Sequence, residues 1–529
     1  MRLFAGETRH DRSLHPRDRT LIAALFLGLY LLTFVALAVH APAAVWQPGT
    51  GAFIFVLGWV GIWRYGWGAV HLARSLWYRA RVFPRWRAQV DRLAGADPQT
   101  AAELLVPEVF IVVTSYRIVT ETMVAAFTAA LGEAARYPNP VTIVAAIVET
   151  ADQRLVKDLF RRLAPPSRVR LVLVRGPASG KRDGLGRALR AVALQAPAPG
   201  AVVLVQDGDA ILPPGCLART LPFFRLLPAL AALTTDEDCL VPEGGPAMLA
   251  WHRLRFAQRH LLMSSMALSE RLITLTGRMS VYRVAVATDP TFIDLIEHDH
   301  LDHWRHGRLR LLTGEDKSSA YWLLAKGQRS LYVPDVQVLT IEQPPAPDLL
   351  RASTALMLRW FGNMLRASGR CLALGPRRVG WFTWWCLLDQ RVSMWTPLIG
   401  PIGAILLSLT VTPAFLYAYL LWVMATRLVQ TVLLLTVRPT ISGLYPPLLY
   451  YSQLYGALLK TWALFRLDRQ RWTRQNISWV PDLTTGQLRL RAAGSLLLHL
   501  LAMAALITGV ALATGALPLP HIATLGRLL

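Results

Sequence analysis

Two aspartates separated by one glycine end the apolar stretch VVLVQDGDAIL at 202–212. A β-branched run of this kind builds a strand, and a tight Asp-Gly turn at its exit aims both carboxylates towards one point. Oxygen ligands so arranged suit a hard divalent cation such as Mg2+ or Mn2+, so Asp207 and Asp209 are the metal candidates. A cation there would neutralise a diphosphate and help it leave. A second acidic pair, Glu315 and Asp316, sits in TGEDKSSAYWLLAKG at 313–327, in the first turn of a helix that Thr313 or Gly314 can start. Acids complement a helix dipole at that position, and a carboxylate at a sheet's edge could also take a proton from an attacking hydroxyl. GKRDGLGRALR at 180–190 puts Lys181 and Arg182 at the amino end of another helix, where they could meet phosphate oxygens. Its glycine spacing fits neither a dinucleotide fingerprint nor a Walker loop. Arg278, in TGRMSVYR at 276–283, reads as part of a turn between elements.

These residues need a scaffold, and the middle of the chain supplies an alternating rhythm. Short β-branched runs at 107–116, 140–150, 168–175 and 202–207 are separated by helical stretches at 119–136, 152–163 and after Gly180. Such alternation predicts an α/β domain with a mostly parallel sheet, in which ligands sit beyond the carboxyl ends of the strands. Asp207 and Asp209 fall at that edge.

The apolar fraction of 53% over 529 residues exceeds that of an ordinary soluble protein. Residues 20–41 contain no charged side chain and are long enough to cross the hydrocarbon as a helix; 51–72 form a second crossing in which Arg64 must snorkel or face protein. Arginines before the first span (Arg2, Arg9, Arg12, Arg17, Arg19) and after the second (Arg74, Arg79, Arg81, Arg85, Arg87) place both flanks in the cytoplasm. The section from about 80 to 390 is then cytosolic. Aromatic and basic sequence at 351–395 predicts interfacial helices, followed by spans at about 396–412, 414–437 and 494–516, with 443–465 expected as an interfacial or re-entrant helix. Arg427, within a span, costs at least about 2.5 kcal/mol if exposed to lipid, so it must face water, protein or an anion. The net charge of +23 belongs to arginines beside apolar segments, which suits membrane lipid and not nucleic acid. Four cysteines without paired spacing read as reduced, packed thiols.

Taken together, the motifs resemble the membrane-embedded processive glycosyltransferases of family 2, and within them the alginate-polymerase (mannuronan synthase) type. The likeness runs through DGD at 207–209, TGRMSVYR, GED at 314–316, YVPDVQV, LRWFGNMLR, FTWWCLLDQRVSMW and FRLDRQRWTRQN. It implies a cytosolic nucleotide-sugar-binding domain of the GT-A type, flanked by transmembrane and interfacial α-helices. The expected divisions are 1–77 (tail and two spans), 78–350 (glycosyltransferase domain), 351–395 (interfacial helices) and 396–529 (carboxy-terminal membrane region with a gating segment near 466–480). By the same resemblance Asp316 is the catalytic base with Glu315 beside it. Asp207 and Asp209 bind the nucleotide diphosphate, and Arg359 contacts it. Trp360 forms an acceptor platform at the channel mouth, and Trp472 and Arg474 belong to the gating segment. Glu149, with Asp152, lies where relatives place an Asp that touches the nucleotide base, and Leu356 stands where they carry Gln. The implied reaction is inverting polymerisation of GDP-mannuronic acid, with export of the growing polysaccharide across the bacterial inner membrane and a separate cyclic-di-GMP receptor subunit. The alternatives are a hyaluronan-, chitin- or cellulose-type synthase using a UDP-sugar, or a non-catalytic membrane scaffold.

Overall fold

The computed structural model describes residues 16–46, 51–177, 180–472, 477–479 and 483–518. The chain divides into two compact units: one contains residues 72–388 and the described part of 468–480, the other 13–71, 389–467 and 481–529.

The first unit is built on an eight-stranded sheet with order β3-β2-β1-β4-β7-β6-β10-β5. Its members are β1 (Val109–Ser115), β2 (Val141–Ile147), β3 (Val169–Arg175), β4 (Val202–Asp207), β5 (Ala210–Ile211), β6 (Leu230–Leu240), β7 (Ser280–Arg283) and β10 (Arg329–Ile341). Every residue of β1 and β2 is buried, as their unbroken apolar runs demand of central strands covered on both faces. β3, β2, β1 and β4 are mutually parallel, β7 runs antiparallel between β4 and β6, and β10 is parallel to β6. TGRMSVYR, expected as a turn, thus contributes a strand.

Gly208 and Asp209 alone separate β4 from β5, yet β5 pairs with β10 at the far edge. In a flat sheet that gap would be four strand spacings, about 19 Å, whereas three residue steps reach about 11 Å at most. The sheet therefore curls until the end of β10 returns over the exit of β4. β10 has a register irregularity between Val333 and Gln337, around Pro334, which lacks the N–H for a ladder bond. A hairpin of β8 (His300–His303) with β9 (Gly307–Arg310) and another of β11 (Gln470–Trp472) with β12 (Ile477–Trp479) complete the strands. All four cysteines are buried thiols.

In the second unit, four helices among the described residues are long and apolar enough to cross a membrane: Leu21–Val39, Trp381–Thr410, Ala414–Thr436 and Thr485–Thr514, the second of which begins in the first unit. Gly51–Trp77 is also one continuous helix. The stretch 351–395 is divided: Leu349–Ala373 is a helix of the sheet-bearing unit, burying Leu356, Met357, Phe361 and Leu365, and Trp381 opens the apolar run to Thr410. Tyr445–Leu464 is a helix packed on Ala414–Leu433 and Thr396–Thr410 within the second unit. Arg64 faces protein, with Nη1 2.6 Å from Asp389 Oδ1, which also accepts from Trp63 Nε1. Arg427 is buried, and its guanidinium donates to the amide oxygens of Gln430 and Gln453. Intramembrane cations require such partners.

Gly208 shows how tightly the turn is held: a Cβ there would come within 2.7 Å of Ile118 Cδ1 and 2.8 Å of the Thr114 carbonyl oxygen. Gly184, inside the helix Lys181–Ala193, has nothing within 4 Å. Gly208→Ala should lower the unfolding midpoint of the detergent-solubilised protein by an amount equivalent to roughly 1–3 kcal/mol. Gly184→Ala should instead raise it, by up to about 1 kcal/mol. Equal effects of the two substitutions would refute the close-approach explanation.

Candidate functional site

Asp207 ends β4 with its backbone fixed on both sides. Its N–H donates to the Gly277 carbonyl at 3.0 Å, and the next N–H, of Gly208, donates to the Thr114 carbonyl at 3.0 Å. Asp209 is buried, and its carbonyl accepts from the Ile341 N–H at 3.1 Å, so the curled end of β10 closes over it. The two carboxylates thus leave the sheet between the ends of β1 and β10.

Lys181 joins this pair to the second acidic motif. Its Nζ lies 2.5 Å from Asp207 Oδ1 and bonds Glu315 Oε1 as well. Gly277 makes room for the contact, since a Cβ there would fall 2.8 Å from Asp207 Oδ2 and 3.1 Å from Lys181 Nζ. Burial alone would lower the ammonium's pKa, but the Asp207 and Glu315 carboxylates outweigh it and raise it well above the ordinary lysine value. Glu315 is pulled down to about 2: burial opposes ionisation, and the charges of Lys181 and Arg182 overcome it. Asp207 moves the other way, to about 6, because burial dominates and the charges of Asp209 and Glu315 add to it against Lys181. Asp207 and Glu315 share one ammonium, and Asp209 adds its charge beside Asp207, a pair of carboxylates at the strand exit whose oxygens suit a divalent cation. Among the described residues no group of three His, Cys, Asp or Glu side chains forms a ready-made metal site.

Asp316 follows Glu315 in the first turn of the helix Glu315–Ala325, and its Oδ2 accepts from Thr274 Oγ1 at 3.2 Å. Gly314 starts that helix at φ +89°, a left-handed conformation natural to glycine. A Cβ on it would sit 2.9 Å from Asn363 Cγ, and Thr313 Oγ1 donates to Asn363 Oδ1 at 3.2 Å. Asn363 lies on Leu349–Ala373, the helix of Arg359 and Trp360, so the acidic motif and the Arg-Trp motif are docked through this contact.

Arg182, expected at phosphate oxygens, is buried instead within the protein. It donates to the carbonyls of Ile296 and Thr313, each at 3.0 Å, and to Ser318 Oγ at 2.8 Å. It braces the segment that carries Glu315 and Asp316. Arg278 pairs with Glu237 at 3.1 Å and with Glu342, under the Phe256 ring at 4.9 Å. Burial opposes its charge, but those carboxylates raise its pKa further above the usual range. Glu237 and Glu342 went unread in the sequence, although TTDEDCL at 234–240 is unusually acidic for a buried strand. Trp360 stacks on Trp251 with ring centres 5.7 Å apart and planes 15° from parallel. Trp251, fully buried in the helix Pro246–Ala267, carried no sequence signal. Arg359 is half-buried beside Trp360.

Glu149 caps the helix Thr150–Leu163 just beyond β2 and is exposed; burial and the Glu149 charge raise the Asp152 carboxyl. Trp472 lies 6.1 Å from the Tyr116 ring, which follows β1, so it reaches the same edge of the sheet. Its strand is clipped there by Gln470, whose side chain accepts from the Leu312 N–H at 3.0 Å and donates to the Arg310 carbonyl at 2.7 Å. Arg474 lies outside the described residues. Arg427 belongs to the second unit.

Residues 107–363 match the family described as "Glycosyltransferase like family 2". The glycosyltransferase alg8 of Pseudomonas syringae pv. tomato is 46% identical over 459 residues, 87% of this chain and 91% of that protein. The glycosyltransferase alg8 of Azotobacter vinelandii is 44% identical over 481 residues, 90% of this chain and 94% of that protein. A solved mannosyltransferase from Pyrobaculum calidifontis, in complex with GDP-Man and Mn2+, superposes with a TM-score of 0.40 at 17% identity, covering 74% of this chain and 97% of that one. With its α/β sheet, its acidic pair at the exit of β4 and these relatives, the chain belongs to the family 2 glycosyltransferases, alongside the alg8 enzymes.

Proposed function

We propose that this membrane glycosyltransferase polymerises mannuronate from GDP-mannuronic acid by inverting transfer and passes the growing polysaccharide across the bacterial inner membrane, with its catalytic unit in the cytoplasm. The observation that carries the chemistry is the bridge from Asp207 through Lys181 to Glu315, with Asp316 next in sequence. It joins the acidic pair at the strand exit to the motif of the candidate base. Asp316 takes the proton from the hydroxyl at the end of the acceptor chain. That oxygen attacks the anomeric carbon from the face opposite the nucleotide, the bond to the diphosphate breaks, and GDP departs. A divalent cation, Mg2+ or Mn2+, held by Asp207 and Asp209 would neutralise the departing diphosphate. Lys181 keeps Glu315 ionised and fixes Asp207, Arg182 holds the helix start that presents Asp316, and Arg359 and Arg474 contact the diphosphate. Trp360 supports the acceptor sugar, Trp472 belongs to a segment that closes over the nucleotide, and Glu149 lies towards its base. A cyclic-di-GMP receptor subunit is the expected partner.

Membranes containing the chain and its native partners, incubated with labelled GDP-mannuronate and Mg2+, should yield a polymer degraded by a mannuronate-specific lyase. Turnover of a UDP-sugar with none of GDP-mannuronate would reject the donor. Asp316→Asn should reduce polymerisation by a factor on the order of 10³, at unchanged membrane abundance, because the general base is lost. Undiminished synthesis would favour a scaffold instead.

The pH profile carries a sign as well. Burial pushes Asp207 up to about 6 in the absence of a cation, which would lower it; only the ionised form pairs with Lys181 and a cation, so activity is retained above about pH 6 and declines as pH falls below it. Lys181→Met removes the counter-charge and should move the acid midpoint upward by roughly one pH unit or more, measured as initial polymerisation rate against pH. A downward shift would contradict the assigned electrostatics.

A further inference from the structure

Three arginines lie on the helix Pro246–Ala267: Arg253, Arg255 and Arg259. Two have carboxylate neighbours, with Arg253 Nε 3.7 Å from Asp238 and Arg259 Nη2 3.8 Å from Glu237. Arg278, across from them, is held by Glu237 and Glu342. Arg255 differs: among the described residues no carboxylate lies within ion-pair distance of it. Its guanidinium instead covers aromatic rings, 4.5 Å from the centre of Trp360 and 5.3 Å from that of Trp251. It is half-buried, and burial, followed by the Arg259 charge, pushes it down to about 10. Lys317, next to Asp316 in sequence, is also lowered, by burial against the pull of Asp316 and with the help of Arg259. Both cations lie within the field of Arg259.

A cation withdrawn from water without a counter-charge is costly, and the cost is recovered when a ligand supplies the charge. Trp360 offers a flat apolar surface of the kind on which a sugar ring rests, and a guanidinium lying on it presents a planar fork to whatever projects from that ring's edge. A carboxylate matches the fork with two parallel hydrogen bonds, which a hydroxymethyl group cannot make.

We propose that Arg255, laid across the Trp251–Trp360 pair, is the subsite for the carboxylate of an acidic acceptor sugar and makes the enzyme select a uronate-bearing chain end over a neutral one. The proposal rests on Trp360 as the acceptor platform. A neutral chain end seated on Trp360 would cover the half-buried Arg255 and exclude water from it without supplying a charge, so discrimination arises from that penalty as much as from attraction.

The test uses membranes containing the full chain with its native partners and two acceptors: an oligomannuronate and the same oligomer with its carboxyls reduced to alcohols. The readout is the ratio of acceptor kcat/KM values. The unsubstituted protein should prefer the acidic oligomer by about tenfold or more, as a charge-assisted hydrogen-bond pair predicts. Arg255→Gln should bring the ratio to within about twofold of unity, and Arg255→Lys should retain part of it. A ratio unchanged in Arg255→Gln, or equal use of both oligomers by the unsubstituted protein, would overturn the proposal. So would a higher donor KM with the acceptor ratio preserved, which would put the anion on the donor. Trp360→Ala tests the underlying platform separately: it should raise KM for both oligomers alike, and if it raises neither, the platform assignment falls independently of the Arg255 ratio.

Discussion

One ammonium group holds the site together. Lys181 sits between Asp207, at the end of a strand, and Glu315, in the first turn of a helix 108 residues further along. Without it, like charges a few ångströms apart would repel by about 4 kcal/mol at an effective dielectric of 20. With it, Glu315 stays ionised and Asp207 is poised near 6. The bridge also fixes relative position, because Asp316 moves with Glu315 and Asp209 with Asp207. In the proposed mechanism this is what lets one constellation address a nucleotide diphosphate and an acceptor hydroxyl together.

Glycines make that approach physically available. Gly208 lets the exit of β4 pass against the end of β1, Gly277 opens the space in which Lys181 meets Asp207, and Gly314 lets Asn363 dock under the helix that carries Asp316. At each position a methyl group would come within 3 Å of a neighbouring atom. The closest neighbours of Gly208 include a backbone carbonyl, which cannot swing aside as a side-chain end can.

Much of this was legible in the residues. The β-branched runs foretold the parallel half of the sheet, and the position of DGD at a strand exit marked the candidate site, because parallel strands deliver their carboxyl ends to one edge. The acidic helix start was readable too, since Gly314 followed by two acids is a strong local signal. What escaped was non-local. β7 is four residues long, too short for its alternation to stand out, and the acids of TTDEDCL carry meaning only through Arg278, which lies between Glu237 and Glu342. The inward role of Arg182 depended on carbonyls 114 and 131 residues away, which no spacing rule can anticipate. Trp251 acquires its role only through the fold, which stacks Trp360 against it.

The central claim is that Lys181 couples the two acidic motifs into one unit, and a double-mutant cycle of Lys181→Met with Glu315→Gln measures that coupling directly. Polymerisation rates should fall at least about tenfold in each single variant, and the double variant should be no worse than the weaker single, because removing either partner already breaks the bridge. Multiplicative losses, with each substitution acting as though the other residue were absent from its surroundings, would contradict the account.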